Sequence, residues 1–352
     1  GSYKVQLEKV DKDNQSTKLE GAEFSIALPG ASAITRTTDS NGLIDLGNVK
    51  ITDISSTDTI TVTETKAPDG YNKILGTMTL QVSKKVEDGS YVADKVSITS
   101  GQAEGTTATL DGNVIKIVVA DEKKEGNYKL QLEKVDSKDN SKKLQGAEFS
   151  VTLPGKAAQT MTTNSSGLID LGTVEITNVS SKDTITIEET KAPEGYNKIL
   201  DAMTIEVEKQ DLNGAYSLKN ATITSGQVNG TSLTIDDNTI KITVADELIT
   251  GNYGLQLEKV DSKDNNKKLQ GAEFSVLLPG KQAATKTTDE NGLIDLGTVE
   301  ITNVGTKDTI TIEETKAPNG YNKILDTMTI EVEKQLVDGE YKAKSATIHQ
   351  EK

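Results

Sequence analysis

The stretch GLQLEKVD, residues 254–261, places a lysine where an apolar side chain is expected. In an extended strand, alternate residues share one face. The face in question carries four side chains: Tyr253, Leu255, Leu257 and Lys259. The same arrangement occurs twice earlier, in YKVQLEKVD and YKLQLEKVD, whose apolar stripes end at Lys9 and Lys134. An inward-facing lysine is therefore a systematic feature of this sequence.

The chain consists of three copies of one unit. Lys9, Lys134 and Lys259 recur every 125 residues, and all three phenylalanines fall in the repeated segment GAEF. Self-similarity at a fixed period is the signature of a tandem array. We therefore expect three domains, which cover residues 1–123, 124–248 and 249–352.

The secondary-structure signals are almost entirely those of β-strands. Short segments rich in Thr, Ile and Val alternate with polar residues, and turn pairs such as Asn41-Gly42 and Asp111-Gly112 separate them. The strands predicted in the first unit lie near 3–10, 22–28, 34–38, 43–47, 58–65, 74–83, 91–99, 106–110 and 114–121. This pattern predicts an all-β sandwich of antiparallel sheets. The linkers are short and polar, so the array should be elongated and fairly stiff.

Composition excludes several classes of function. A net charge of −15 argues against nucleic acid and against an anionic membrane surface as partners. No apolar run approaches the roughly 20 residues of a membrane span, so we expect a soluble fragment of something longer. The chain has no cysteine and one histidine, His349, so few of the side chains that conventional catalysis uses are present. We expect no cofactor. The segment VDKDNQ lacks the glycine and closing glutamate of a calcium loop, so it is interpreted as a turn and not as a metal site.

Two further ionisable side chains end apolar stripes in each unit. Glu64 shares a face with Ile60 and Val62, and Asp121 ends the stripe of the last strand. The corresponding residues are Glu189 and Asp246 in the second unit and Glu314 in the third. An isolated buried charge costs several kcal/mol, so these groups are tolerable mainly if they meet.

Buried together, the three groups are suited to amide formation. Burial lowers the pKa of a lysine and raises that of a carboxyl, which favours a neutral amine beside protonated acids. The amine is then a nucleophile, Asp121 an electrophile, and Glu64 a proton shuttle. The product would be a Lys–Asp amide between strands, formed once by self-modification and not by an enzyme with turnover. The alternative is a buried hydrogen-bonded ion cluster without a covalent bond.

The pattern LEKVD…LEGAEFSI…ETKAPDGY…IKIVVAD resembles the collagen-adhesin B-type (Cna-B, SpaA-type) repeat of Gram-positive surface adhesins and pilins. The resemblance implies inverse immunoglobulin-like (prealbumin-like) sandwiches with spontaneous isopeptide bonds. By motif match, the pairs are Lys9 with Asp121 and Lys134 with Asp246, promoted by Glu64 and Glu189 respectively, and Glu314 is the equivalent glutamate of the third unit. Many members of the family have Asn as acceptor, whereas this sequence has Asp.

The function expected from these features is that of a structural stalk. Tandem cross-linked domains would hold an adhesive part away from a bacterial cell, anchored to the cell wall through a part not present here. Their partners would be neighbouring domains of the same surface protein. The alternative is an adhesive module that binds a host matrix protein or glycan. The repeated tyrosines, such as Tyr3, Tyr71 and Tyr91, are interpreted as core and turn-packing residues and not as a carbohydrate platform.

The third unit is expected to be incomplete. The position that corresponds to Asp246 would lie beyond Lys352. Lys259 and Glu314 would then have no acceptor, and the third sandwich would lack its last strands. Such an edge is a template for an added strand. We expect this unit to be unlinked, or to take a strand from a neighbouring molecule.

Overall fold

The computed structural model describes residues 1–351, in which every regular element is a β-strand. Within this range no helix is present that could cross a membrane. The first unit has ten strands: β1 (Ser2–Asp11), β2 (Glu23–Ala27), β3 (Ile34–Thr37), β4 (Leu43–Lys50), β5 (Asp58–Lys66), β6 (Tyr71–Lys73), β7 (Thr77–Glu87), β8 (Ser90–Ser100), β9 (Thr107–Asp111) and β10 (Val114–Lys123).

The second unit repeats this order, and the third unit repeats it in part. The second contains β11 (Asn127–Asp136), β12 (Glu148–Thr152), β13 (Gln159–Thr162), β14 (Leu168–Glu175), β15 (Asp183–Lys191), β16 (Tyr196–Lys198), β17 (Ala202–Leu212), β18 (Ala215–Ser225), β19 (Ser232–Asp236) and β20 (Thr239–Leu248). The third contains β21 (Asn252–Glu258), β22 (Val260–Asp261), β23 (Asp264–Lys268), β24 (Glu273–Leu277), β25 (Ala284–Thr287), β26 (Leu293–Glu300), β27 (Asp308–Lys316), β28 (Thr327–Val337) and β29 (Glu340–Glu351).

Each complete unit is a sandwich of two five-stranded sheets. In the first unit, one sheet has the order β4-β1-β10-β6, with β9 on the same edge of β10 as β6, and the other has the order β3-β2-β5-β7-β8. The inner faces carry the alternate apolar residues of each strand, such as Val5 and Leu7 on β1 and Ile60 and Val62 on β5, all fully buried. The predicted all-β sandwich is confirmed.

The prediction that the sheets are wholly antiparallel is wrong at one pair of strands in each complete unit, β1 with β10 and β11 with β20. β1 and β10 run parallel, with Lys9 opposite Val119 and Asp11 opposite Asp121. Parallel neighbours need a long connection between them. Here that connection is the rest of the unit. The alternation of residues along single strands does not indicate that the first and last strands are parallel neighbours.

The sequence also fails to indicate β6. This strand is only three residues long, Tyr71–Lys73, and it pairs with the end of β10. Its sequence, Tyr-Asn-Lys, has no apolar alternation, so its existence depends on the partner strand.

Among residues 1–351, the third sandwich has no strands equivalent to β9 and β10, as predicted. Among the described residues, β21 pairs only with β26, and the strand ends at Glu258, before the lysine of the motif. Leu255 and Leu257 are partly exposed, whereas Val5 and Leu7 of the first unit are fully buried. An apolar strand edge is therefore open in this unit.

Candidate functional site

The backbone around Lys9 holds its side chain in the interior. The Lys9 N–H donates to the carbonyl oxygen of Gly42 at 2.7 Å, and the Lys9 carbonyl accepts from the N–H of Leu19 at 2.9 Å. Gly42 has a φ of +73°, and a Cβ there would lie 2.7 Å from the Lys9 oxygen, so only glycine fits this turn. The Asn-Gly turn thus fixes the strand position from which the lysine points inward.

Lys9, Glu64 and Asp121 meet between the two sheets of the first unit. Lys9 Nζ lies 2.6 Å from Asp121 Oδ1 and 3.4 Å from Glu64 Oε1, and all three side chains are fully buried. The lysine and the aspartate lie on the neighbouring parallel strands β1 and β10, while the glutamate faces them from β5 in the opposite sheet. The three residues that end apolar stripes in the sequence therefore form one cluster.

The second unit reproduces this cluster. Lys134 Nζ lies 2.6 Å from Asp246 Oδ1 and 3.5 Å from Glu189 Oε2, and none of the three side chains is exposed. Two independent copies of the arrangement show that it follows from the repeated sequence.

Burial shifts the protonation of both glutamates. The pKa of Glu64 is raised to about 9, first by desolvation and then by a hydrogen bond to the Asp121 carboxyl. The pKa of Glu189 is raised to about 9 by the same two causes, desolvation and a hydrogen bond to the Asp246 carboxyl. Burial lowers the pKa of Lys134. At neutral pH, each glutamate is therefore protonated.

The hydrogen-bond inventory agrees with a protonated glutamate. Glu64 Oε1 and Asp121 Oδ2 are buried and accept no hydrogen bond from any donor in the described part of the chain. Two carboxylates cannot satisfy each other, but one proton shared between them satisfies both oxygens. The cluster therefore contains an amine in contact with a carboxyl that is itself hydrogen-bonded to a carboxylic acid.

A backbone donor completes the surroundings of each aspartate. The N–H of Ile74 donates to Asp121 Oδ1 at 3.2 Å, and the N–H of Ile199 donates to Asp246 Oδ1 at 3.1 Å. Both donors directly follow the short strand that pairs with the end of the last strand. The sequence gives no signal for this contact, because it depends on tertiary pairing.

The third unit brings together only two members of the cluster. Lys259 Nζ lies 3.3 Å from Glu314 Oε1, and the glutamate is fully buried. The lysine side chain is 19% exposed, whereas Lys9 is fully buried. No aspartate from a last strand reaches it within residues 1–351, so Lys259 is the accessible amine of the three.

Each unit also contains a second buried lysine, which is not among the predicted site residues. Lys84 Nζ donates to Asp58 Oδ1 at 2.7 Å, and the Tyr3 hydroxyl donates to Asp58 Oδ2 at 2.9 Å. The corresponding clusters are Tyr128–Asp183–Lys209 and Tyr253–Asp308–Lys334. The signal was available, because Lys84 continues the inward stripe of Met78, Leu80 and Val82.

The acidic segment VDKDNQ forms a turn, in agreement with its interpretation from sequence. Asp11 Oδ1 accepts the N–H groups of Asp13 and Asn14, and Asp11 Oδ2 accepts the Tyr71 hydroxyl at 2.7 Å. The carboxylate is thus occupied by protein donors. Tyr3 and Tyr71 each donate a hydrogen bond to an aspartate. Tyr91 is exposed and is therefore not a core residue.

These features define a class of protein: tandem prealbumin-like sandwiches whose first and last strands are parallel neighbours joined by a buried Lys–Glu–Asp cluster. The sequence matches the family described as SpaA, prealbumin-like fold domain, over residues 3–97, 128–222 and 253–347. The chain belongs to this family. The three matched segments correspond to the three repeated units.

Solved structures similar to this chain include proteins of Bacillus anthracis and Lactobacillus rhamnosus GG. The Bacillus anthracis TIE protein is 22% identical, with a TM-score of 0.40, over 94% of this chain and 48% of that one, so the present chain spans about half its length. A C-terminal fragment of the pilus adhesin SpaC from Lactobacillus rhamnosus GG is 21% identical, with a TM-score of 0.43, over 71% and 98% of the two chains.

The shaft pilin SpaA from Lactobacillus rhamnosus GG is 15% identical over 70% of this chain and 98% of that one, with a TM-score of 0.23. A search of curated proteins finds no match.

Proposed function

We propose that the chain is a stalk or spacer segment of a bacterial surface adhesin or pilin, located outside the cell, and that two intramolecular isopeptide bonds stiffen it. The bonds join Lys9 to Asp121 and Lys134 to Asp246. The observation that carries the proposal is the fully buried contact of 2.6 Å between lysine nitrogen and aspartate oxygen in both complete units.

The chemistry follows from the protonation of the cluster. Glu64 passes its proton to Asp121 and takes one from Lys9, which leaves a neutral amine beside two carboxylic acids. The Nζ lone pair forms a bond to Cγ. Glu64 then protonates the leaving oxygen and takes the second proton from nitrogen, so one water departs and the glutamate ends as it began. Glu189 would do the same for Lys134 and Asp246.

The topology makes this bond mechanically useful. A pull on the array enters each unit at its first strand and leaves by its last, and these strands are the parallel neighbours β1 and β10. A covalent bond from Lys9 to Asp121 carries that load directly, so the residues between them are not extended. The chain has no cysteine, so no disulfide can serve this purpose.

Specific contacts at the joints support a stiff array. Asn72 Nδ2 donates to the carbonyl oxygen of Gly214 at 2.8 Å across the first joint, and Asn197 Nδ2 donates to that of Gly339 at 2.9 Å across the second. The first joint also has an ion pair between Lys124 and Asp211, 2.5 Å apart. The same short strand of one unit, β6 or β16, thus contacts the same turn of the next unit.

The intact mass of the denatured protein tests the proposal. Two missing waters are expected, and the Lys9→Ala and Lys134→Ala variants should each miss one. The matched control is Lys84→Ala, because Lys84 forms a buried Lys–Asp contact of similar length without a glutamate. An unmodified mass would leave both clusters as ion pairs and remove the covalent stalk.

In the third unit, we propose that the open edge of β21 accepts a strand from outside the unit. Support comes from β21 pairing with one strand only, β26, in the described chain, and from the partial exposure of Lys259 beside Glu314. A peptide that copies the last strand of unit two, DDNTIKITVADEL, should dock there. It should couple to Lys259 through the aspartate that follows its alanine, the counterpart of Asp246. Denaturing gels should show the adduct with the wild-type chain and none with Lys259→Ala. A well-folded third unit that forms no adduct would contradict this assignment.

A further inference from the structure

We propose that the backbone N–H of Ile74, and that of Ile199 in the second unit, binds the oxyanion that develops during amide formation. This inference rests on the proposed isopeptide function and assigns different fates to the two oxygens of each aspartate. The donors lie 3.2 Å and 3.1 Å from Asp121 Oδ1 and Asp246 Oδ1. A fixed donor at such a distance is suited to stabilise a developing negative charge.

The two oxygens of Asp121 have different surroundings. Oδ1 accepts the Ile74 N–H and lies against Lys9 Nζ, whereas Oδ2 accepts nothing from the described residues. We therefore assign the hydrogen bond between the two carboxyls to Asp121 Oδ2 and Glu64 Oε1, because these are the buried oxygens of the cluster that have no other donor. Oδ2 is therefore assigned as the oxygen that receives protons from the glutamate.

The step can be written with every atom assigned. The neutral Nζ attacks Cγ, and the electron pair of the C=O bond moves onto Oδ1, where the Ile74 N–H holds the negative charge. Glu64 gives a proton to the Oδ2 hydroxyl, and the Cγ–Oδ2 bond breaks as water leaves with that electron pair. The C=Oδ1 bond re-forms, and Glu64 takes one proton from nitrogen. Oδ1 becomes the amide oxygen, and Oδ2 leaves.

Docking of the last strand orders this donor. In the first unit, Lys73 pairs with Asp121 itself, and the donor is the next residue. In the third unit, which has no paired last strand among the described residues, segment 321–325 forms no strand. Ile324, the counterpart of Ile74, is there 72% exposed. The pairing that delivers the acceptor carboxyl therefore also fixes the N–H that activates it.

Replacement of one amide by an ester tests the assignment. The α-hydroxy analogue of isoleucine at position 74 removes the N–H and keeps the side chain. The full chain is assembled by ligation in denaturant, so that the reaction starts on refolding, and water loss in each unit is followed by proteolysis and mass spectrometry. The first unit should react about 10²–10³-fold more slowly, the range found when one oxyanion donor is lost, while the second unit of the same molecule reacts at its usual rate.

Two controls separate the possible outcomes. The same ester at position 324 should change neither rate, because no acceptor lies beside that residue in the described chain. Hydrogen exchange of β6 and β10, measured in Glu64→Ala chains with and without the ester at 74, shows whether the strands still pair. An unchanged rate overturns the donor assignment, and so does a slower rate that merely follows lost pairing. If the wild-type chain loses no water at all, the isopeptide function itself fails.

Discussion

Lys84 lies as close to Asp58 as Lys9 lies to Asp121, yet the two pairs differ in their surroundings. The Nζ to Oδ1 distances are 2.7 Å and 2.6 Å. Asp58 keeps 15% of its side chain exposed and accepts the Tyr3 hydroxyl, and no second carboxylate lies within 4.0 Å of Lys84 Nζ in the described chain. A short Lys–Asp contact is therefore not sufficient for the proposed chemistry, because the proton shuttle is lacking.

The first prediction uses this contrast. Lys84→Ala should leave the loss of two waters unchanged, because it touches neither cluster. It should lower the free energy of unfolding by about 1.5–3 kcal/mol, since Asp58 loses a charged hydrogen-bond partner. Intact mass and denaturant unfolding measure the two effects. A chain that loses fewer waters would show that Lys84 takes part in cross-linking.

The second prediction concerns the shuttle. Glu64→Gln keeps the size of the side chain but cannot pass a proton, so the first unit should fold without its bond while the second unit forms its own. Stability should fall by about 4–5 kcal/mol, the loop-entropy contribution of a link that spans about a hundred residues. Mass spectrometry and thermal unfolding report the two quantities. Glu189→Gln is the matched variant and should reverse the pattern between units. Water loss from the first unit at the wild-type rate would refute the role of Glu64.

The third prediction concerns the pH dependence of bond formation. The pKa of Glu64 is about 9 in the folded chain, against an ordinary value of 4.5. The protonated shuttle is thus present at neutral pH and is lost as the pH rises through about 9. The rate of water loss after refolding should fall over this range. A rate that keeps rising above pH 9 would indicate that amine deprotonation alone controls the reaction.

The same pKa shift of Glu64 determines how the free energy of unfolding of the unlinked chain depends on pH. Because the folded chain binds a proton at Glu64 that the unfolded chain releases near pH 4.5, the contribution of this group is fully present below that pH. It is lost progressively as the pH rises through about 9. Unlinked Lys9→Ala chains, in which Glu64 remains, should show this trend in denaturant unfolding, and Lys9→Ala/Glu64→Gln chains should show less of it.

The fourth prediction concerns force. A linked first unit should not extend when the chain is pulled from its ends, because the load passes from β1 through the Lys9–Asp121 bond to β10. Lys9→Ala should release the intervening residues, with up to about 3.3–3.6 Å gained for each. Single-molecule force spectroscopy distinguishes the two, and Lys84→Ala serves as the control. Equal extension of the wild type and Lys9→Ala would remove the mechanical role.

The fifth prediction compares the joints. Lys124 and Asp211 form an ion pair at the first joint, but the residues one period later are Ile249 and Leu336. Salt screens an exposed ion pair and not an apolar side chain. High salt should therefore widen the range of angles at the first joint only. Fluorescence energy transfer can measure this, because single cysteines introduced for labelling meet no native thiol. Equal widening at both joints would contradict the role of the ion pair.

The sequence by itself determined the repeat, the strand character and the inward direction of the ionisable residues. These properties are local. Alternation of period two assigns Lys9, Glu64 and Asp121 to apolar faces, and the desolvation cost of a buried charge then requires that they find partners. The same reasoning, extended to Lys84, would have predicted the second cluster.

Only the tertiary structure decided which strands are neighbours and in which direction they run. The parallel pairing of β1 with β10, the formation of β6 and the contact of the Ile74 N–H with Asp121 all join residues far apart in sequence. Strand pairing is set by the competition of whole faces for burial, and no single strand encodes it. The third unit shows the difference: it retains the inward Lys259 and Glu314, but without a paired last strand in the described chain its lysine is part-exposed and the equivalent of β6 does not form.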